Sequence, residues 1–143
     1  MAADVPFHNV TREQGVIGLR AALNVLDKWK GSSEQACHIL SISQRTYASA
    51  KRQGPEWSVP LNPEQLQRIS LVLNIHAVLR AVFANPENVY GFPAMANHNE
   101  FFNGNSPLEV MAKGDLRSLH ETFEKIDALR FLHGDASSPV SPI

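Results

Sequence analysis

Cysteine is nearly absent, with Cys37 standing alone among 143 residues. A single thiol excludes an intramolecular disulfide, and its apolar helical context predicts a buried residue in a reducing compartment. No apolar run approaches the length of a membrane span. The first ten residues lack a basic region followed by an apolar one, so no secretory signal is read there. Charge of one sign is not in excess either. The formal net charge is −1, which by itself announces no nucleic-acid partner. Alternating strands, hairpin turn signals, internal repeats and a glycine-rich phosphate loop are all missing. What these absences leave is a cytoplasmic, all-α chain. Its 43% hydrophobic and 19% charged residues are the proportions of a chain that can build a core.

Helix caps are what the sequence has in plenty. Thr11 with Gln14 forms a capping-box pattern, and Val16, Leu19, Leu23, Leu26 and Trp29 then recur at helical spacing. This predicts a helix over 12–30, ended by a left-handed Gly31. Ser32 with Gln35 repeats the pattern before Ala36, Ile39 and Leu40. After a brief break at Ser41–Ile42, Ser43 caps a third helix, 44–53, which Gly54 and Pro55 stop. Two short helices around a tight break predict a helix-turn-helix. A proline-containing linker, 54–62, leads to Asn62–Pro63, a cap followed by a proline at the first helical position. The helix predicted from there to 84 carries too wide an apolar stripe for a surface helix and should be central. Asn85–Pro86 starts a short helix ending near Gly91, 92–105 reads as irregular, and Ser106 with Glu109 is another capping box. Asp115 opens the last helix, with Leu116, Leu119, Phe123, Ile126 and Leu129 inward and Gly134 ending it. The Ser/Pro-rich remainder reads as a flexible tail. The expected division is 1–58 for the helix-turn-helix, 59–134 for a second helical domain and 135–143 for the tail.

The third helix carries the sharpest local signal. Charge is uneven along the chain, and the stretch 41–54 holds Arg45, Lys51 and Arg52 with no acid. A recognition helix reads bases with its N-terminal side chains, here Ser43, Gln44 and Arg45. Gln bonds adenine in two places and Arg does the same with guanine. Tyr47, Lys51 and Arg52 are placed for phosphates, which give position rather than sequence. Ala48 and Ala50 permit close approach to DNA or to the preceding helix. The plainer alternative is an ordinary surface helix of a bundle. The turn lacks the glycine usual in this motif, with Ser41–Ile42 in its place.

Other chemistry finds little support. The histidines, His8, His38, His76, His98, His120 and His133, include no pair at the spacing of a helical metal site. His76 and His120 lie beside apolar stripes and read as edge-of-core residues, whereas His98 sits in the irregular loop. Glu121, Glu124 and Asp127 read as a solvated acidic face. No nucleophile has a partnered base. The expectation is a protein that is not an enzyme, with no cofactor and no metal.

The run NHNEFFNGNSPLEVMAKGDL, with ETFEKIDALR after it, completes a recognisable order. With the helix-turn-helix and the long apolar helix before it, the chain resembles the Xre/MbcA/ParS antitoxin family over residues 15–131. The matching positions are Phe83 with Asn85–Pro86, Asn97 to Asn99, Gly104, Ser106–Pro107–Leu108, and Ile126–Asp127 with Arg130. The chain departs from the family pattern at three places. Phe131 stands where a glycine follows the arginine, Tyr90–Gly91–Phe92 lacks a tryptophan, and Asn105 replaces a basic residue. The resemblance implies a type II antitoxin that covers the active-site entrance of a cognate RES-type, NAD-consuming toxin. It also implies pairing with itself and repression of its own operon.

On that resemblance, the toxin-binding surface is expected on the loop 97–105 and the last helix. Asn99, Phe101, Phe102, Glu124, Asp127 and Arg130 are its candidates, since an exposed aromatic rimmed by amides suits an interface. One phenylalanine of the pair is the natural core anchor. Two alternatives remain: a dimeric helix-turn-helix transcription regulator without a toxin partner, and an interaction module whose helix-turn-helix no longer binds DNA. The near-neutral charge and the missing turn glycine lean toward the last.

Overall fold

The computed structural model describes residues 10–133, and these are all-helical. The elements are α1 (Arg12–Lys28), α2 (Ser33–Leu40), α3 (Gln44–Arg52), α4 (Pro63–Val82), α5 (Pro86–Gly91), a single 3₁₀ turn (Phe92–Ala94), α6 (Pro107–Met111), α7 (Leu116–Asp127) and α8 (Leu129–His133). The expectations on the first nine residues, on Gly134 as a helix stop and on the 135–143 tail lie outside the described residues.

Side-chain caps set the starts of α1 to α7. Thr11, Ser32, Asn62 and Ser106 each close a reciprocal box with the residue three positions on, so two backbone amides are satisfied at each start. Ser43, Asn85 and Asp115 cap α3, α5 and α7 through one amide each. The end of α1 differs from the expectation. Lys30, not Gly31, takes the left-handed conformation, at φ 67°. Gly31 instead supplies the amide that reaches back to the Leu26 carbonyl at 2.9 Å, while Lys30 bonds Asp27. This is a Schellman ending in which the left-handed residue precedes the glycine.

α4 is the axis of the molecule and packs against both α1 and α7. Its buried residues Ile69, Leu71, Val72, Ile75, Val78, Leu79 and Val82 face several sides, as a central helix requires. α1 approaches α4 closely through two glycines on one of its faces. A Cβ on Gly15 would stand 3.4 Å from Leu66, and one on Gly18 would stand 3.3 Å from Ile69. One core runs from Leu19 of α1 and Trp29 just after it, through Ile39 and Leu40, to Leu119, Ile126 and Leu129. It is continuous across the linker at 54–62.

Two further differences concern the C-terminal part. The last helix is broken at Ala128 into α7 and α8. The 92–105 stretch is more ordered than an irregular loop. It contains the 3₁₀ turn and then a closed loop in which Asn97 and Asn105, and Gly104 and Asn97, are joined by backbone bonds of 3.1 and 2.8 Å. His76 lies half-buried against Tyr90, as an edge residue should. His120 is exposed, contrary to expectation, and stands 3.5 Å from Glu124 on the same helix face.

Candidate DNA and partner interfaces

α3 is held by its buried Ala50 and turns its polar side outward. Ser43, Gln44, Arg45, Lys51 and Arg52 are exposed, and Tyr47 and Ala48 are half-exposed. At 3.6 residues per turn, positions 44, 45, 48, 51 and 52 fall on one face. Gln44, Arg45, Lys51 and Arg52 therefore surround the small Ala48, which lets that face approach a flat surface or a groove. Ser43 is committed to the helix start. Its Oγ accepts from the Thr46 amide at 3.0 Å and lies 3.1 Å from the Thr46 hydroxyl.

The turn before α3 works without a glycine. Ser41 sits in the left-handed region at φ 57°, which costs a residue with a Cβ on the order of 1 kcal/mol. Three contacts offset that cost. The Ile42 amide reaches back to the Cys37 carbonyl at 3.1 Å, and the Ile42 side chain is buried. Gln65 Nε2, from α4, donates to the Ser41 carbonyl at 2.9 Å. One turn further along α4, Arg68 is buried at 4% exposure. Its Nη1 donates to the carbonyls of Ile39 (3.1 Å) and His38 (3.3 Å), while Nε and Nη2 hold Glu64. A guanidinium at the carbonyl end of α2 suits the negative end of that helix dipole.

The far end of α3 is held by α1. Arg20 Nη2 donates to the carbonyls of Gln53 and Gly54 at 3.1 and 3.2 Å, with its guanidinium 5.5 Å from the Trp57 ring centre. Lys51 is paired with Asp27 of α1 and stands over the Tyr47 ring. The hydrogen bond to Asp27 is the main reason the Lys51 ammonium is held above its ordinary range. Arg45 and Arg52 have no acidic partner among the described residues.

The candidate partner surface divides into an anchor and a rim. Phe102 is the core anchor, 2% exposed, so it cannot be the exposed aromatic of an interface. Phe101 packs edge-on against it at 4.9 Å and is half-buried, with Lys125 of α7 5.7 Å from its ring centre. Asn99 is exposed, yet its Oδ1 accepts from the Phe102 amide at 3.1 Å, and Asn97 Oδ1 accepts from Asn99 at 3.0 Å. These asparagines build the loop as well as decorate it. Nor is α7 a bare acidic face. Arg117 pairs with Glu121 at 3.4 Å, His120 faces Glu124, and Arg130 Nε lies 2.7 Å from Asp127. Phe131 is 78% exposed beside them.

A third surface was not anticipated. An open groove of about 480 Å³ lies between α4 and α5, lined by Arg80, Phe83, Pro86, Val89 and Tyr90 among others. His76 stacks on Tyr90 at 5.5 Å, and Lys28 stands 5.1 Å from the same ring. Burial first, then Arg80 and Lys28, push the His76 imidazolium down from its ordinary range. Among the described residues no group of three or more His, Cys, Asp or Glu could hold a metal ion, and no helix is long and apolar enough to cross a membrane.

Of the residues that hold α3 in place, Arg20, Asp27, Gln65 and Arg68 were not singled out from the sequence. Only the Glu64–Arg68 spacing, four residues apart on one helix, offered a signal.

Comparison with known proteins gives one relative along most of the chain and one family match confined to its N-terminal part. Uncharacterized protein y4oB of Sinorhizobium fredii (strain NBRC 101917 / NGR234) is 26% identical over 113 residues, which cover 78% of this chain and 83% of that protein. No solved structure matches the chain. Residues 11–74 match the family model described as the antitoxin Xre-like helix-turn-helix domain. That match takes in α1, the α2–α3 pair and the part of α4 that carries Gln65 and Arg68. Residues 11–74 thus form an N-terminal helix-turn-helix domain similar to that of Xre-like antitoxins.

Proposed function

We propose that this chain is the antitoxin of a type II toxin–antitoxin pair. In this reading the face of α3 bearing Gln44, Arg45, Lys51 and Arg52 binds operator DNA, with Arg45 reading a base and Arg52 a phosphate. The C-terminal helices, with Phe101, Asn99, Glu124, Asp127 and Arg130 at the surface, bind and neutralise a cognate toxin of the RES, NAD-consuming type. The chain acts as a homodimer, because a palindromic operator needs two-fold pairing, and the complex represses its own operon. The protein is not a catalyst itself.

The observation that carries this reading is the α3 face, lying inside a segment that matches an Xre-like antitoxin helix-turn-helix domain. The test has two arms. In the first, binding to the DNA upstream of its own gene is titrated with salt. Phosphate contacts require a steep loss of affinity as salt rises, and Arg45→Ala should cost about 1–3 kcal/mol at one base position. In the second, the neighbouring gene product is co-expressed and growth and cellular NAD are followed. Toxicity relieved by this chain supports the antitoxin. DNA binding without any toxic neighbour would return the dimeric transcription regulator instead.

A further inference from the structure

We infer that Asp27 is a built-in competitor for DNA phosphate at Lys51, neutralising part of the α3 face until DNA displaces it. This rests on reading α3 as the DNA-binding helix. Three basic side chains share that face, and they are not equivalent. Arg45 and Arg52 have no acidic partner among the described residues, whereas Lys51 is paired with Asp27. The pair sits at the surface, with side chains 34% and 44% exposed, beside a groove between α1 and α3 lined by Arg20, Asn24, Asp27 and Lys51. A phosphate can therefore reach the ammonium group, but only by exchanging with a carboxylate already there.

The position of Asp27 is a second, independent observation. It lies in the last turn of α1, next to Lys28. An acid at the negative end of a helix is disfavoured by the helix dipole. A residue that breaks a local rule calls for a compensating role, and here the compensation is Lys51 across the groove. Asp27 also repels phosphate directly. A loosely held, non-specific duplex gains little from exchanging one ion pair for another. A duplex seated on α3 brings phosphate close enough to take Lys51 over. Asp27 thus widens the gap between specific and non-specific binding.

The test uses the full chain and two duplexes, one from upstream of its own gene and one of scrambled sequence. Binding is followed by fluorescence anisotropy across a salt series. Asp27→Asn keeps the side-chain shape and removes the charge, and Asp27→Ala serves as a second variant. Both should tighten binding of the scrambled duplex by about three- to tenfold and steepen the salt slope by about one. In a Lys51→Gln background the same substitutions should have a clearly smaller effect, since there is no ammonium to release and only the direct repulsion of phosphate by Asp27 remains. An unchanged affinity and slope in both Asp27 variants would overturn the inference. So would a gain of equal size without Lys51, which would make Asp27 a bulk charge only. Failure of the wild type and the variants to bind either duplex, even at low salt, would remove the DNA-binding reading and the inference with it.

Discussion

Gln65 Nε2 donates to the carbonyl oxygen of Ser41 at 2.9 Å, so the first turn of α4 holds the turn between α2 and α3. The same side chain's Oε1 accepts from the Asn62 amide at 2.9 Å. One glutamine therefore starts its own helix and steadies another element 24 positions earlier in the chain. Two variants separate these effects from the strain at Ser41. Ser41→Gly removes the left-handed penalty and should stabilise the fold by up to about 1 kcal/mol, the gain being trimmed by glycine's greater freedom in the unfolded chain. Gln65→Ala should cost about 1–2 kcal/mol, for the cap partner and the Ser41 bond together. Urea denaturation of both variants checks this. A destabilising Ser41→Gly would mean that the serine side chain, not its backbone, matters there.

Arg68 is the larger lever. Its guanidinium is buried and serves two carbonyls at the end of α2 as well as Glu64. Arg68→Met should cost about 2–4 kcal/mol, because it leaves those carbonyls unpaired in the core. Glu64→Gln should cost less than about 1 kcal/mol, since Glu64 is largely exposed and its pair is solvated. Thermal melts of the two variants should differ clearly, and equal melting temperatures would refute the assignment.

The neighbouring phenylalanines should respond in opposite ways. Phe102→Ala empties a fully packed site and should cost about 3–5 kcal/mol. Phe101→Ala should change stability by less than about 1.5 kcal/mol, yet weaken rescue from the toxin if the proposed surface is right. Parallel melts and growth assays would show the split. Full rescue by a folded Phe101→Ala variant would move the partner surface away from this loop, and the groove beside Arg80 and Tyr90 would be the next to test.

Asp115 gives the stability a dependence on pH. Its Oδ2 accepts from the Ser118 amide at 2.8 Å. That bond first, and the Ser118 hydroxyl second, hold the carboxyl below its ordinary range. A depressed folded value means a contribution that is present above about pH 4 and is lost as pH falls through the folded value. Asp115→Ala should cost about 1 kcal/mol at neutral pH. Asp115→Asn still caps but does not titrate, so its stability curve should be flatter on the acid side. Chemical denaturation between pH 2 and pH 7 would show both effects.

How much of this was legible depended on sequence distance. Thr11–Gln14, Ser32–Gln35 and Ser106–Glu109 are local devices, so their helix starts can be read three residues at a time. The face of α3 follows from helical periodicity alone. What could not be read are the contacts between elements: Gln65 to Ser41, Arg68 to Ile39, Lys51 to Asp27. Each joins residues far apart in the chain, and nothing local in glutamine, arginine or lysine says which carbonyl or carboxylate it will meet. The end of α1 failed for a subtler reason. Glycine adopts the left-handed position most cheaply, but here the hydrogen-bond pattern uses the glycine's amide one residue later and leaves the left-handed position to Lys30. The FF pair divided into an anchor and a rim only once the asparagine loop was closed by its own backbone.

α4 passes on one side against Gly15 and Gly18 and on the other against α7. A fragment cut at residue 74, where the family match stops, would end in mid-helix and lose the buried Ile75, Val78, Leu79 and Val82 of α4, together with α7, which packs on that helix. Such a piece would expose a bare apolar seam and should clump rather than behave as a free DNA-binding unit. In hydrogen exchange, the amides of α4 around Val72 and Ile75 should be the last to open, and they should open together with those of α1 and α7. On that expectation the helix would make a single cooperative unit out of what the chain order suggests are two.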